Sequence, residues 1–161
     1  MLLNGPESFT PDGSFLLGET AETKGLFLGC GMNSVGVATG GGAGMALAHA
    51  IQHGAPPADL HEADPKRFDS SVNSVAALTA RVPEVLGKHY EITYPGRQWQ
   101  SARHLRHLPL HDRWLTAGAH FGQVFGFERP LYFGGGDLPR LTFAKPEWFD
   151  QVGAEVKAAL E

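Results

Sequence analysis

The segment Gly29-Cys30-Gly31-Met32-Asn33-Ser34-Val35-Gly36 is where this sequence comes closest to ligand chemistry. It follows the apolar run Leu26-Phe27-Leu28 and precedes a stretch of helical composition. Glycines before a helix let backbone N–H groups come close to a ligand, and the helix start carries a partial positive charge. The arrangement suits a phosphate, a carboxylate, or a cofactor ring that turns negative on reduction. It is not a dinucleotide fingerprint, because Ser34 stands where G-x-G-x-x-G needs its last glycine. No carboxylate closes a second strand about 20 residues on, and a Pro-Pro link follows the helix in place of a βαβ return. Cys30 has no basic neighbour to activate it and reads as a buried structural thiol. His104, His107 and His111 are spaced like metal ligands, but Pro109 denies them a shared helix face and no cysteine or carboxylate completes a pattern. No metal is expected there. Asp12, between Pro11 and Gly13, is either a reactive carboxylate or, more commonly, the first residue of an Asx-turn.

Something must position these residues, and composition bounds what that is. The chain has 161 residues, 42% hydrophobic and 19% charged, enough to bury a core and too apolar for disorder. A net charge of −4 gives no electrostatic footprint for nucleic acid. The basic stretch Arg97, Arg103, Arg106 and Arg113 reads as a solvated or ion-paired face. One cysteine excludes an internal disulfide and fits a reducing compartment. The first residues lack the basic and apolar regions of a signal peptide, and no apolar run reaches about 18 residues. A soluble, cytoplasmic protein without membrane or nucleic-acid partners is expected.

Short strands are predicted at Phe15 to Leu17 and Leu26 to Leu28, and a helix from about Val35 to His53. Asn33 or Ser34 would cap that helix, and Gly54 with Pro56-Pro57 would end it. Gly40, Gly41, Gly42 and Gly44 each cost helix stability, so close approach of a strand, a helix or a ligand is expected on their face. Ser70 to Gly87 is a second helix that Pro83 should kink or split. Tyr90, Ile92 and Tyr94 alternate as a strand would. His111 to Phe121 reads as a short helix, and Pro146 to Leu160 as an amphipathic one carrying Phe149, Val152, Val156 and Leu160.

In order along the chain, these segments resemble one family. Asn4-Gly5-Pro6-Glu7-Ser8-Phe9-Thr10-Pro11-Asp12-Gly13, Leu17-Gly18-Glu19, Gly31 to Val37, and Gly41-Gly42-Ala43-Gly44 look like the end of the flavin domain of dimethylglycine and sarcosine dehydrogenases. Arg67-Phe68, Gly87-Lys88-His89-Tyr90, Ser101-Ala102-Arg103 and Phe127-Glu128-Arg129-Pro130 look like that family's central domain. Lys145-Pro146-Glu147-Trp148-Phe149 resembles the lead-in to its folate-binding, aminomethyltransferase-like domain. The resemblance implies an α+β chain: residues 1–54 from an FAD-binding α/β domain, 55–145 as central domain, 146–161 as the start of the folate domain. It also implies oxidation of an N-methyl amine by hydride transfer to FAD, with tetrahydrofolate taking the one-carbon unit in the full-length family. Thr10, Gly31, Asn33, Ser34, Val35, Gly36 and Val37 would bind the cofactor, and Phe9, Pro11 and Asp12 would line the substrate cavity. The catalytic residue is left unassigned.

The family's dinucleotide fingerprint and its flavin-attachment region have no counterpart here, and most of the folate domain would lie beyond Glu161. The residues present are therefore expected to form half of a cofactor site. A missing N-terminal flavin-binding portion or subunit would complete it. The alternative is a non-catalytic interaction or assembly module derived from the family. Either way residues 1–54 should expose apolar surface, with oligomerisation or disorder near the N-terminus.

Overall fold

The computed structural model describes residues 5–138 and 140–161. Helices and sheets are mixed, and a helix comes last, so the α+β expectation holds. The chain forms two compact units, Met1–His89 and Tyr90–Glu161. That division follows compactness, whereas the boundaries at 54 and 145 follow family resemblance.

In the first unit, β1 (Leu16–Glu19) and β2 (Phe27–Cys30) pair antiparallel, with Leu17 opposite Gly29. Helix α1 (Gly36–His53) lays Ala43, Ala46 and Ala50 inward, a three-and-four spacing that keeps one face small enough for close packing. Leu17, Ala43, Ala46 and Ala63 form the core, with Phe15, Met32, Leu47 and Leu60 packed against it. Gly54 ends α1 at φ 78° with its N–H on Ala50 O, as expected. The expected cap does not occur: Val35 occupies the N-cap without a side-chain bond, because the Asn33 side chain is engaged elsewhere. Close approach at Gly40, Gly41, Gly42 and Gly44 is also absent; among the described residues nothing lies within 4 Å of where a Cβ would stand. Val37, Met45 and Ile51 are exposed on the same helix, the apolar surface that the sequence led us to expect. The expectation of disorder near the N-terminus falls in part on residues 1–4, outside the described residues.

Two 3-10 turns, His61–Ala63 and Pro65–Arg67, fill the acidic link. Helix α2 (Val75–His89) begins where the Ser74 hydroxyl accepts the Ala77 N–H at 3.2 Å. It runs through Pro83 as one helix. Thr79, whose carbonyl loses its helical donor to Pro83, is exposed, so water can serve it. Ala77, Arg81 and Val85 face inward.

The second unit corrects two expectations. Residues 90–94 form no strand; Tyr90 and Ile92 are exposed, and alternation without a neighbouring strand fixes nothing. Helix α3 covers only His111–Thr116, since Gly118 at φ +80° turns the chain out of it. Beyond Gly118 the chain forms a hairpin, β4 (Ala119–Val124) and β5 (Phe127–Phe133), in place of the rest of the expected helix. Its two-residue loop, Phe125-Gly126, has both φ angles positive, as a turn matching strand twist requires. A short β3 (Arg106–His107) adds parallel to β5, giving the order β3-β5-β4. Helix α4 (Phe149–Leu160) is tied to β5 by the Phe133 N–H donating to Glu155 Oε1 at 2.7 Å. No helix among the described residues is long and apolar enough to cross a membrane.

Candidate functional site

The turn into α1 is built by one asparagine. Asn33 is buried; its Oδ1 accepts the Thr10 N–H at 2.9 Å and its Nδ2 donates to Gly31 O at 2.5 Å. The Asn33 N–H donates to Ser8 O at 3.1 Å. Gly31 sits at φ +64°, and a Cβ there would stand 2.6 Å from Thr10 Cγ2, so a side chain at this position is strained and must displace Thr10. Asn33 and Ser34 follow at φ 47° and 68°, left-handed values that swing the chain into the helix. Two stretches that the sequence pattern groups into one site, Phe9 to Asp12 and Gly31 to Val37, are thus brought together at Thr10 and Asn33.

The start of α1 has unmet hydrogen-bonding capacity. Gly36 and Val37 are its first residues, whose N–H groups have no intrahelical partner, and no acidic side chain lies in the first turn. The Ser34 hydroxyl is buried with no hydrogen-bond partner, a state that costs free energy unless something else meets it. An acceptor-rich, partly anionic group at this terminus would satisfy both features.

Asp12 is an anchor. Its carboxylate accepts the Ser14 N–H at 3.0 Å, forming the Asx-turn, and takes Arg67 Nε at 2.8 Å and Nη2 at 3.0 Å side-on. Arg67 also donates to Ser14 O at 2.7 Å and Asp64 O at 3.1 Å. Pro11 presents its carbonyl to Arg81 Nη1 at 3.2 Å, and the Phe9 ring meets the edge of His89. Sequence reasoning attached no role to Arg67 or Arg81; for Arg81 the signal lay in its place on the helix face that also carries Ala77 and Val85, whereas the polar surroundings of Arg67 carry no such mark. Cys30, expected to be buried, is exposed at the end of β2. A cavity of about 460 Å³ between the C-terminal half of α1 and the residue 54–66 link includes none of the expected site residues.

In the second unit the organising group is Glu128, fully buried on β5. It accepts Arg103 Nε at 2.9 Å, a close bond from Arg103 Nη2, and the His104 N–H at 2.8 Å. Burial pushes this carboxyl up, but the Arg103 and His104 hydrogen bonds and the Arg103 charge outweigh it and hold the group below the ordinary glutamate value. Arg103 further donates to the carbonyls of Trp99 and Phe121, both at 3.1 Å. The histidines set aside for want of a shared helix are gathered by three different elements: His104 from a loop, His107 from β3, His111 from the first turn of α3.

The chain is similar to known proteins over most of its length. Residues 53–107 match the family described as FAD dependent oxidoreductase central domain. Over 99% of its length the chain is 41% identical to 4-methylaminobutanoate oxidase (formaldehyde-forming) of Paenarthrobacter nicotinovorans, covering 20% of that protein. It is 42% identical, again over 99% of its length, to the mitochondrial pyruvate dehydrogenase phosphatase regulatory subunit of Mus musculus, covering 19% of it. Over 80% of the chain it is 43% identical to mitochondrial sarcosine dehydrogenase of Homo sapiens, covering 14% of it. The chain spans about a fifth or less of the length of these relatives. The chain thus carries a match to the FAD dependent oxidoreductase central domain and is homologous to part of the sarcosine and dimethylglycine dehydrogenases.

Proposed function

We propose that this chain supplies one wall of the FAD site in an oxidoreductase acting on N-methyl amines such as dimethylglycine or sarcosine. One observation carries the reading: the Thr10–Asn33–Gly31 bonds shape a turn that ends in an uncapped helix start beside the unpartnered Ser34 hydroxyl. Thr10, Gly31, Asn33, Ser34, Val35, Gly36 and Val37 would hold the flavin edge, with Asn33 fixing the turn and the α1 N-terminus favouring negative charge. FAD, when bound, would accept the hydride removed from the N-methyl carbon. Phe9, Pro11 and Asp12 would border the substrate side, Asp12 acting through the loop geometry it holds with Arg67.

The wall is half a site, and a flavin-binding portion outside these residues completes it. The exposed Val37, Met45 and Ile51 of α1 are the surface we assign to that portion, or to a second copy of the chain. A cytoplasmic location, which the lone Cys30 favours, is likewise a proposal; two of the relatives are named as mitochondrial. The non-catalytic alternative has its own support, since a relative 42% identical is named as a regulatory subunit.

The deciding experiment mixes the chain with FAD, alone and together with the complementary flavin-binding portion of the Paenarthrobacter relative, and measures flavin retained after desalting. Retention only with the complement, followed by formaldehyde release from an N-methyl amine, is the expected result. Stoichiometric retention by the chain alone would overturn the half-site. No retention in either sample would favour the assembly module.

A further inference from the structure

We propose that His104, His107 and His111 form a binding site for a divalent late transition-metal ion, with zinc as its probe. One ring nitrogen on each lies within 4.8 Å of one on each of the others. Imidazole is the side chain such ions take most readily, and three of them with an open fourth position are a known zinc arrangement. A second observation points the same way. His111 is 6% exposed, and its Nδ1 is buried with no hydrogen-bond partner. A metal ion is the partner that this ring lacks.

The backbone is arranged to bring the three together. His104 is held at φ +60°, and its N–H is fixed to the buried Glu128 carboxylate. His107 is paired in β3 opposite Glu128 itself, so a single residue of β5 sets the height of both. His111 starts α3 with its N–H on Leu108 O at 2.9 Å, a turn that folds the chain back past Pro109. Phe121 walls the far side, its ring 4.6 Å from that of His111.

Metal ligation needs an adjustment of the rings. The His107 and His111 rings stack at 3.8 Å and 7°, and two parallel rings cannot both aim a nitrogen at one ion. With zinc–nitrogen bonds of about 2.0–2.1 Å, tetrahedral ligand nitrogens lie roughly 3.3 Å apart, so the set must contract. His104 and His107 are exposed and able to turn, whereas His111 is fixed by packing. Zinc binding therefore unstacks His107 from His111 and clips the loop, β3 and α3 together. No carboxylate or cysteine joins the set among the described residues, which leaves water or an added ligand in the fourth position.

The test uses the full chain without a histidine tag, stripped with chelator and titrated with zinc chloride. One zinc per chain, a raised melting temperature and, with cobalt(II), the visible bands of a tetrahedral ion are expected. His107→Gln and His104→Asn, the latter chosen because asparagine tolerates the left-handed backbone, should each weaken zinc by at least the roughly 10–100-fold that losing an outer-shell partner costs. Both alter exposed side chains, so circular dichroism should show the fold intact. The other close histidine pair, His49 and His53 on α1, is the control, and His53→Gln should change nothing. Failure to retain zinc, retention unchanged in His107→Gln, or loss in His53→Gln would each overturn the site.

Discussion

Each unit of this molecule holds a buried arginine–carboxylate pair that joins segments distant in sequence, and these two pairs are built in opposite senses. In the first, the arginine is the deeper partner: the Arg67 side chain is 2% exposed and that of Asp12 19%. In the second, the carboxylate is deeper: Glu128 is 0% exposed and Arg103 18%. The inversion matters because the two buried charges have different escapes. A stranded carboxylate can take up a proton, whereas a guanidinium stays charged at any pH a folded protein survives. A buried ion pair is weak evidence of net stability, but removing one partner is costly because the other is left uncompensated.

The most damaging way to break the comparison is Asp12→Ala. Stranding the Arg67 charge should cost about 3–5 kcal/mol in urea unfolding, with no relief between about pH 5 and 8, since arginine does not titrate there. Relief on acidification within that range would show that the pair is not what holds the loop. Arg103→Met should cost about 3 kcal/mol at neutral pH and progressively less as the pH falls. The sign follows from Glu128. In the natural chain its depressed value contributes stability above the unfolded glutamate value, about 4.3, that is lost as pH falls through the folded one. In the variant the Arg103 bonds and charge are gone and burial is opposed by the His104 contacts alone, so the value rises and protonation offsets part of the loss. A penalty that stays constant from neutral pH downward would mean Glu128 keeps its charge through other donors. The smallest effect belongs to Ser34→Ala. Its buried hydroxyl has no partner in the chain, so removing it should not destabilise the fold and should raise stability by about 1 kcal/mol at most. Flavin retention in the complemented sample should nonetheless fall measurably. An unchanged retention would remove Ser34 from the cofactor wall.

Much of the first unit was legible because its signals are local. Apolar runs marked β1 and β2, alanines at three and four marked α1, and Gly54 marked its end. The cap of α1 was misread for a tertiary reason: the Asn33 side chain reaches Thr10, 23 residues away, instead of its own helix. The hairpin of the second unit escaped because its pattern is interrupted where its organising residues sit. Glu128 breaks the apolar alternation of β5, and Pro130 and Gly122 are poor strand formers. Gly118 was the available clue to the early end of α3. The histidine cluster was discounted on helical geometry, yet the fold assembles it from a loop, a strand and a helix start. Likeness to a family marked the turn at Gly31 to Val37, but only the structure shows that its shape depends on Asn33.

The Thr10–Asn33 contact also has a kinetic consequence. It closes a short span of 23 residues around the β1–β2 hairpin, whereas the Asp12–Arg67 pair spans 55 and the Arg81–Pro11 bond 70. Contacts near in sequence form first, and a chain made from its N-terminus presents them first. The turn can therefore be set before Arg67 and Arg81 arrive to lock it. Arg67 and Arg81 would then close around a turn whose shape is already decided, so their loss should slow locking more than it alters the turn.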